Sequence, residues 1–274
     1  MIEVKDLRKS FDGVEVLKGI TTTFETGKVN LVIGQSGSGK TVFLKSLLNV
    51  FEPTSGHILF DGRDIVGMSR QEKEALRAEI GTVFQGSALF DSMTVQDNIM
   101  FPLDMFTNLT FTEKKKRVKE VIGRVHLENA EKKFPSEISG GMQKRVAIAR
   151  AIVNNPRYLF CDEPNSGLDP FTANIIDDLI AEITEEYNTT TIINSHDMNS
   201  VMTIGEKIVY LRKGIKEWEG TKDILITSDN NYLIDFVYSS ELFKELREYL
   251  IKINKTSIDN IITTVENETD QENI

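Results

Sequence analysis

An α/β fold with a helical insertion is what this sequence predicts, and three observations carry the prediction. Short apolar runs return late in the chain, at Tyr158–Cys161 and Thr190–Asn194, each after a helical stretch, which is the order of a parallel sheet. From about Gly86 to Asn155 helical patterns dominate instead, as an all-helical subdomain requires. A glycine-rich octapeptide, Gly34 to Thr41, stands directly between the apolar run Val29–Ile33 and a helical pattern.

From the amino end, the expected strands are Ile2–Val4, Val14–Leu17, Ile20–Phe24 and Val29–Ile33, with Asp12-Gly13 and Thr26-Gly27 as turns. The helix after Gly39 puts Val42, Phe43, Leu44, Leu47 and Leu48 on overlapping faces. Ile58–Phe60 is a strand stopped by Asp61-Gly62, and Ile80–Phe84 is another. Thr112–His126 and Gly140–Val153 are helices of the insertion. Beyond the two late strands, Ile208–Leu211 and Ile215–Trp218 read as a hairpin around Lys213-Gly214. Tyr232–Ile251 is expected as a helix burying Phe236, Phe243, Leu246 and Leu250.

The 274 residues suffice for one compact unit with a sizeable core. With 40% hydrophobic and 27% charged residues the composition is that of a folded soluble chain, and no apolar run approaches the roughly 20 residues of a bilayer-spanning helix. The start, MIEVKDLRKSF, lacks the apolar stretch of a secretory signal. Cys161 is the single cysteine, which excludes an intramolecular disulfide and fits a reducing compartment; the expectation is a cytoplasmic protein. The net charge of −10 argues against a nucleic-acid partner. Residues Thr256–Ile274 hold acidic side chains and no Lys or Arg, and are expected to be a disordered, solubilising tail.

The octapeptide Gly34-Gln35-Ser36-Gly37-Ser38-Gly39-Lys40-Thr41 matches the phosphate-loop pattern G-x-x-x-x-G-K-[ST], a match that chance supplies in on the order of one chain in a hundred. Its glycines let successive N–H groups approach phosphate oxygens, Lys40 adds a cation toward the β- and γ-phosphates, and the Thr41 hydroxyl can ligand Mg²⁺. Tyr158-Leu159-Phe160-Cys161-Asp162-Glu163 is an apolar strand ending in two acids. Alone, such a pair reads as a surface turn. Downstream of a phosphate loop, Asp162 suits Mg²⁺ and Glu163, pointing differently, suits the polarisation of an attacking water. The third pattern, Ile138-Ser139-Gly140-Gly141-Met142, taken alone is an ordinary helix start with Ser139 as cap and free N–H groups.

The order phosphate loop, Gln85, ISGGM, YLFCDE, then His196 resembles the ABC (ATP-binding cassette) ATPases over roughly Ile2 to Gly220, although Ile138 and Met142 stand where the family's LSGGQ signature has Leu and Gln. The resemblance implies a P-loop cassette with an N-terminal antiparallel β-subdomain, a parallel-sheet core and an inserted helical subdomain. It implies that Phe11 stacks on adenine with Val16 nearby, that Gln85 touches Mg²⁺ and senses a membrane partner, and that His196 contacts the γ-phosphate. Asn165 to Asp169 corresponds to the loop that crosses a dimer interface. Two chains would meet head to tail, each ATP lying between one phosphate loop and the other chain's Ser139, Gly140 and Gly141. A homodimer is the simplest route to that arrangement. His57 and His126 match no family position.

The domain organisation expected is an ATPase domain over residues 1–220, its helical subdomain at about 86–155, a C-terminal helical extension over 221–255 and the tail over 256–274. The segment GSALFDSMTVQDNIMFPL after Gln85, together with the SGGM signature, resembles the Mla/Mce phospholipid-transport cassettes. That likeness implies ATP and Mg²⁺ as cofactors and a location on the inner membrane through a transmembrane permease, with a Mce-type lipid-binding protein as further partner. Cassettes for polar amino acids or for lipoprotein release are the alternatives within the class. A non-transport ABC protein is the alternative outside it, and the sequence lacks both the long coiled-coil interruption and the tandem cassette of such proteins. Lys114-Lys115-Lys116-Arg117 reads either as a contact for anionic headgroups or as a solvated helix face.

Overall fold

The computed structural model describes residues 1–239, 244, 245 and 247–249. It divides into two units, Met1–Glu219 and the residues from Gly220 onward. The first unit begins with β1 (Ile2–Phe11) and β2 (Val14–Phe24), joined through Asp12 and Gly13, whose positive φ angles of 48° and 81° suit the twist of a two-residue hairpin. β1 is longer than the expected Ile2–Val4, because its pairing with β2 continues through register shifts around Asp6. Only Leu7 of that added stretch is fully buried, so its charged residues gave no apolar alternation. β2 likewise runs unbroken where two strands were expected, with Gly19 at φ 82° inside it.

β3 (Lys28–Ile33) leads through the glycine-rich loop into α1 (Lys40–Leu47). β4 (Ser55–Phe60) and β5 (Arg63–Asp64) follow, and α2 (Arg70–Ala78) starts at a capping box in which Ser69 and Glu72 satisfy each other's backbone N–H. After β6 (Ile80–Val83) comes the helical insertion: α3 (Val95–Phe106), α4 (Phe111–Arg124) and α5 (Gly140–Ile152), the first two opened by capping boxes at Thr94/Asp97 and Thr110/Glu113. The chain returns through β7 (Tyr158–Asp162), α6 (Pro170–Tyr187), β8 (Thr190–Ser195), α7 (Met198–Thr203), β9 (Lys207–Arg212) and β10 (Ile215–Gly220).

Two sheets result. The antiparallel one has the order β2-β1-β4-β5; the other has the order β10-β9-β3-β8-β7-β6, and β6, β7, β8, β3 and β9 are parallel neighbours within it. Phe43, Leu44 and Leu47 of α1 share one buried cluster with Phe24 and Phe60 of the first sheet and Tyr158 and Phe160 of the second. The ring pair Phe60–Tyr158, edge to face at 4.9 Å, joins the layers directly. Cys161, on the strand flanked by β6 and β8, is fully buried, and burial pushes its thiol pKa up.

The second unit contains α8 (Lys222–Thr227) and α9 (Asn231–Val237). The helix expected over Tyr232–Ile251 is thus interrupted: α9 ends at Val237, and residues 244, 245 and 247–249 are helical again; the buried positions of α9 are Leu233 and Val237, with Phe236 only half-buried. Phe243, Leu246, Leu250 and the acidic tail lie outside the described residues. Arg247 donates to the carbonyls of Ile226 and Ser228 and stands 5.4 Å from the Tyr238 ring, so a cation ties the helical residues 247–249 to the end of α8. Among the described residues no helix is long and apolar enough to cross a membrane.

Candidate functional site

β3 ends at Ile33 and the backbone turns sharply into α1. Gly34 adopts φ 152°, and a Cβ there would stand 2.3 Å from the Leu211 carbonyl and 2.6 Å from Ser38 Oγ, so only glycine fits. Gly39, at φ 108°, is the residue from which α1 starts. Gln35, Ser36 and Gly37 form the exposed rim, and Ser38 N–H donates to the Gln35 carbonyl at 3.1 Å. Lys40 folds back over this loop, its Nζ donating to the carbonyls of Gly34 (2.6 Å) and Gln35 (3.2 Å). Burial lowers the pKa of this ammonium, while the charges of Glu163 and Asp162 act in the opposite direction. Thr41 is exposed on the first turn of the helix.

β7 delivers the two acids beside the loop. Asp162 Oδ1 accepts from Asn194 Nδ2 at 3.1 Å. Glu163 has a left-handed backbone (φ 48°), rare for a residue with a side chain, and its N–H donates to the Asn194 carbonyl at 3.0 Å. That turn separates the two carboxylates. Glu163 Oε2 accepts from Gln85 Nε2 at 2.9 Å, and Oε1 lies 2.9 Å from His196 Nδ1. Three segments far apart in sequence thus converge on one carboxylate that is near the Lys40 cation.

The residues fit a nucleotide with a divalent ion. Ser38 Oγ is buried within the loop without a hydrogen-bond partner, a polar atom that a ligand oxygen would satisfy. Among the described residues no three His, Cys, Asp or Glu side chains form a metal cage. The donor set of Thr41, Gln85 and Asp162 instead suits Mg²⁺, which takes one or two carboxylates and completes its shell with phosphates and water.

Phe11, at the end of β1, is partly exposed and meets the Phe51 ring edge to face at 5.2 Å, with Lys9 Nζ 4.8 Å from its centroid. Val16 is half-buried on β2, and its carbonyl lies 3.7 Å from the position a Cβ on Gly39 would take. The remaining expected residues stand apart. Ser139 caps α5 by accepting from Met142 N–H at 3.3 Å. A Cβ on Gly141 would meet Thr172 Cγ2 at 2.8 Å, and one on Gly140 would meet Leu168 Cδ2 at 3.9 Å. The glycines therefore border the segment in which Asp169 caps α6 by accepting from Thr172 N–H at 3.0 Å, rather than the Lys40 loop.

Several residues had no assigned role in the sequence. Lys144, on α5, donates its ammonium to the Gln85 carbonyl and is almost fully buried. Arg150, one end of the same helix further on, donates to the carbonyls of Ser87 and Ala88, both at 2.7 Å. The buried Asn98 side chain bonds the backbone of Phe90, Met93 and Thr94. The strand-to-helix loop after Gln85 is thus held from α5 and α3. Beside it lies an apolar groove of about 240 Å³ lined by Phe84, Phe90, Phe101, Met105 and Phe106 among others.

Residues 17–166 match the family described as ABC transporter. The probable ribonucleotide transport ATP-binding protein mkl of Mycobacterium tuberculosis is 39% identical over 236 residues, which are 86% of this chain and 66% of that protein. The chain thus spans just under two thirds of that relative. The methionine import ATP-binding protein MetN of Corynebacterium diphtheriae is 36% identical, over 87% of this chain and 72% of that one. Among solved structures, the dimeric post-hydrolysis state of the ATP-binding cassette MJ0796 bound to ADP and Pi superposes with a TM-score of 0.74 at 31% identity, covering 81% of this chain and 98% of that chain.

Proposed function

The chain belongs to the ABC transporter family as an ATP-binding cassette, and from that premise we propose that it hydrolyses MgATP as the motor subunit of a transporter whose cargo is phospholipid. The observation that carries the hydrolytic reading is Glu163, clasped by Gln85 and His196 at 2.9 Å each, beside the Lys40 loop. In this reading Lys40 and the loop amides would hold the triphosphate, and Thr41, Gln85 and Asp162 would hold Mg²⁺, which when bound would neutralise developing phosphate charge. Glu163 takes the proton of the attacking water, His196 and Gln85 orient that carboxylate, His196 contacts the γ-phosphate and Gln85 senses the membrane partner.

The border between Gly141 and Thr172 supports a composite site. Ser139, Gly140, Gly141 and Asp169 would face the nucleotide of a second copy, so that ATP favours the closed dimer by its differential contacts and hydrolysis withdraws that preference. Ser139→Arg is expected to abolish ATP-dependent dimerisation in sedimentation while one-site nucleotide binding stays within about twofold, because the chain's own phosphate loop is untouched. An unchanged dimer would reject the composite site.

Work would pass to a transmembrane permease through the groove beside Gln85, where Phe90 is 40% and Met105 59% exposed while Val95 and Ile99 of the same run are fully buried. Phe90→Asp places a charge where the permease would bury it unpaired, at a cost of several kcal/mol. Transport-linked turnover in the assembled complex is expected to fall at least tenfold, with nucleotide binding of the isolated chain and its circular dichroism unchanged. Equal turnover in the complex would remove the groove from the coupling path.

Phospholipid is supported by the run Ser87–Leu103 and the SGGM signature, with a Mce-type lipid-binding protein as the expected further partner and the inner face of the plasma membrane as the site of action. The relatives named for methionine import favour a second reading, uptake of an amino acid. Loss of the chain from cells decides between them. Altered envelope lipid distribution with intact nutrient uptake supports the first, and loss of uptake of one amino acid with an unchanged envelope supports the second.

A further inference from the structure

Asp177 is an aspartate on the buried face of α6, 2% exposed, among Ala173, Ile176, Leu179, Ile180 and Ile183. Among the described residues it forms no ion pair. A buried carboxylate without a cation is costly and is kept only where hydrogen bonds hold it. Its Oδ2 accepts from the Ser200 hydroxyl at 2.6 Å, and Ser200 Oγ accepts from Asn165 Nδ2 at 2.9 Å. The Asn165 amide also lies 3.3 and 3.4 Å from the two Asp177 oxygens and 3.5 Å from Asp197 Oδ2. All three members of this chain of bonds are buried, Ser200 completely.

The network joins the two segments that must keep register for Glu163 to meet His196. Asn165 lies between Glu163 and Asp169, on the loop whose Ser166 N–H turns back to the Glu163 carbonyl at 3.2 Å. Ser200 is on α7, directly after His196 and its neighbour Asp197, which caps that helix through Asn199 N–H at 2.9 Å. Asp177, on neither segment, grips both. The geometry points to Asp177 as a positioning residue for ATP hydrolysis, one that fixes the Glu163–Asp169 loop against the helix following His196. The inference rests on the hydrolytic role proposed above.

Only an ionised Asp177 accepts both donors with both oxygens free. The groups facing it are Asp178 on α6, Asp197 at the start of α7, and the neutral Cys161 thiol on β7; none is a cation. Burial pushes its pKa up to about 6, with Asp197 and Asp178 acting in the same direction and the Ser200 and Asn165 bonds against it. As pH falls through that value the carboxyl gains a proton, loses an acceptor and releases the Asn165 amide.

The test compares wild type with Asp177→Asn and Ser200→Ala in the full-length chain from pH 5.5 to 8.5. ATPase kcat and KM are followed together with hydrogen exchange of residues 163–169 and 196–201. The wild type should lose kcat on the acid side near pH 6, with exchange in both segments rising beyond its intrinsic pH dependence. In Asp177→Asn the inflection should vanish and kcat at pH 8 should fall roughly tenfold or more at unchanged KM, as expected when reacting groups are misplaced by a fraction of an ångström. Ser200→Ala should match it in kcat at pH 8. Wild-type kcat and an intact acid limb in Asp177→Asn would overturn the inference. So would a lower melting temperature with normal kcat in both variants. A wild type that exchanges as expected but hydrolyses no ATP would count against the proposed function and leave the linkage between the two segments standing; exchange in both segments unaltered by pH would reject that linkage whether or not ATP turns over.

Discussion

Replacing Glu163 by Gln is expected to lower ATP turnover by about 10²–10⁴-fold, the range that general-base catalysis supplies. The amide keeps the size of the carboxylate and an oxygen to accept from Gln85 or His196, both now 2.9 Å from it. It cannot take a proton from water. ATP affinity should therefore survive, and the variant should accumulate as an ATP-bound dimer, visible in sedimentation, that the wild type passes through briefly. The left-handed backbone at residue 163 adds a constraint: Glu163→Gly would relieve that strain while removing the base, and should be equally inactive. Turnover within tenfold of wild type in Glu163→Gln would falsify the assignment, whatever the dimer does.

Lys40→Ala should act one step earlier. Removing the ammonium deletes charge-assisted hydrogen bonds to phosphate, worth about 1.5–3 kcal/mol, or roughly 10–100-fold in ATP affinity. The substitution also frees the carbonyls of Gly34 and Gln35, which Lys40 Nζ satisfies at 2.6 and 3.2 Å, so the loop loses an internal tie. Lys40→Arg should not rescue, since a planar fork on a longer stem cannot replace a compact cation enclosed by the loop. Equilibrium nucleotide titration with a melting curve separates loss of the ligand contact from loss of the fold. An affinity within twofold of wild type would exclude Lys40 from the phosphate site.

How far these features could be read from the sequence depends on the range of the forces that set them. Gly34 to Thr41 and the acids closing β7 are local: turn chemistry, one cation and a strand end lie within a few residues, and spacing alone reveals them. The far half of β1 was hidden because Lys5–Ser10 sends a single apolar side chain inward and is held by backbone pairing that carries no composition signal. α2 was passed over since only Leu76 is buried on it, though Ser69 three residues before Glu72 was a readable start. The helix expected over Tyr232–Ile251 is helical at 231–237 and again at 244, 245 and 247–249, but its end at Val237 was not legible, because a periodic stripe cannot show where a helix breaks. Lys144 and Arg150 were invisible for a different reason. Charged residues on a helix read as a solvated face, yet both point at carbonyls that become unpaired acceptors only when the loop after Gln85 is folded. The convergence of Gln85, Glu163 and His196 joins positions 78 and 33 residues apart, which no local pattern predicts without the family likeness.

The buried Cys161 gives the molecule an internal clock. It is the only thiol in the chain, it is inaccessible, and it sits one residue before Asp162, the carboxylate proposed to hold Mg²⁺, in a strand bordered on both sides. A thiol reagent can reach it only when β7 separates from a neighbour, so the labelling rate in native buffer measures how often the central sheet opens. Ligands that bind the closed protein alone suppress such opening by a factor of about 1 + [L]/Kd, or RT ln(1 + [L]/Kd) in free energy. Mass-spectrometric counting of one label would thus read nucleotide binding, dimer formation and permease docking on a common scale, without a reporter having been introduced.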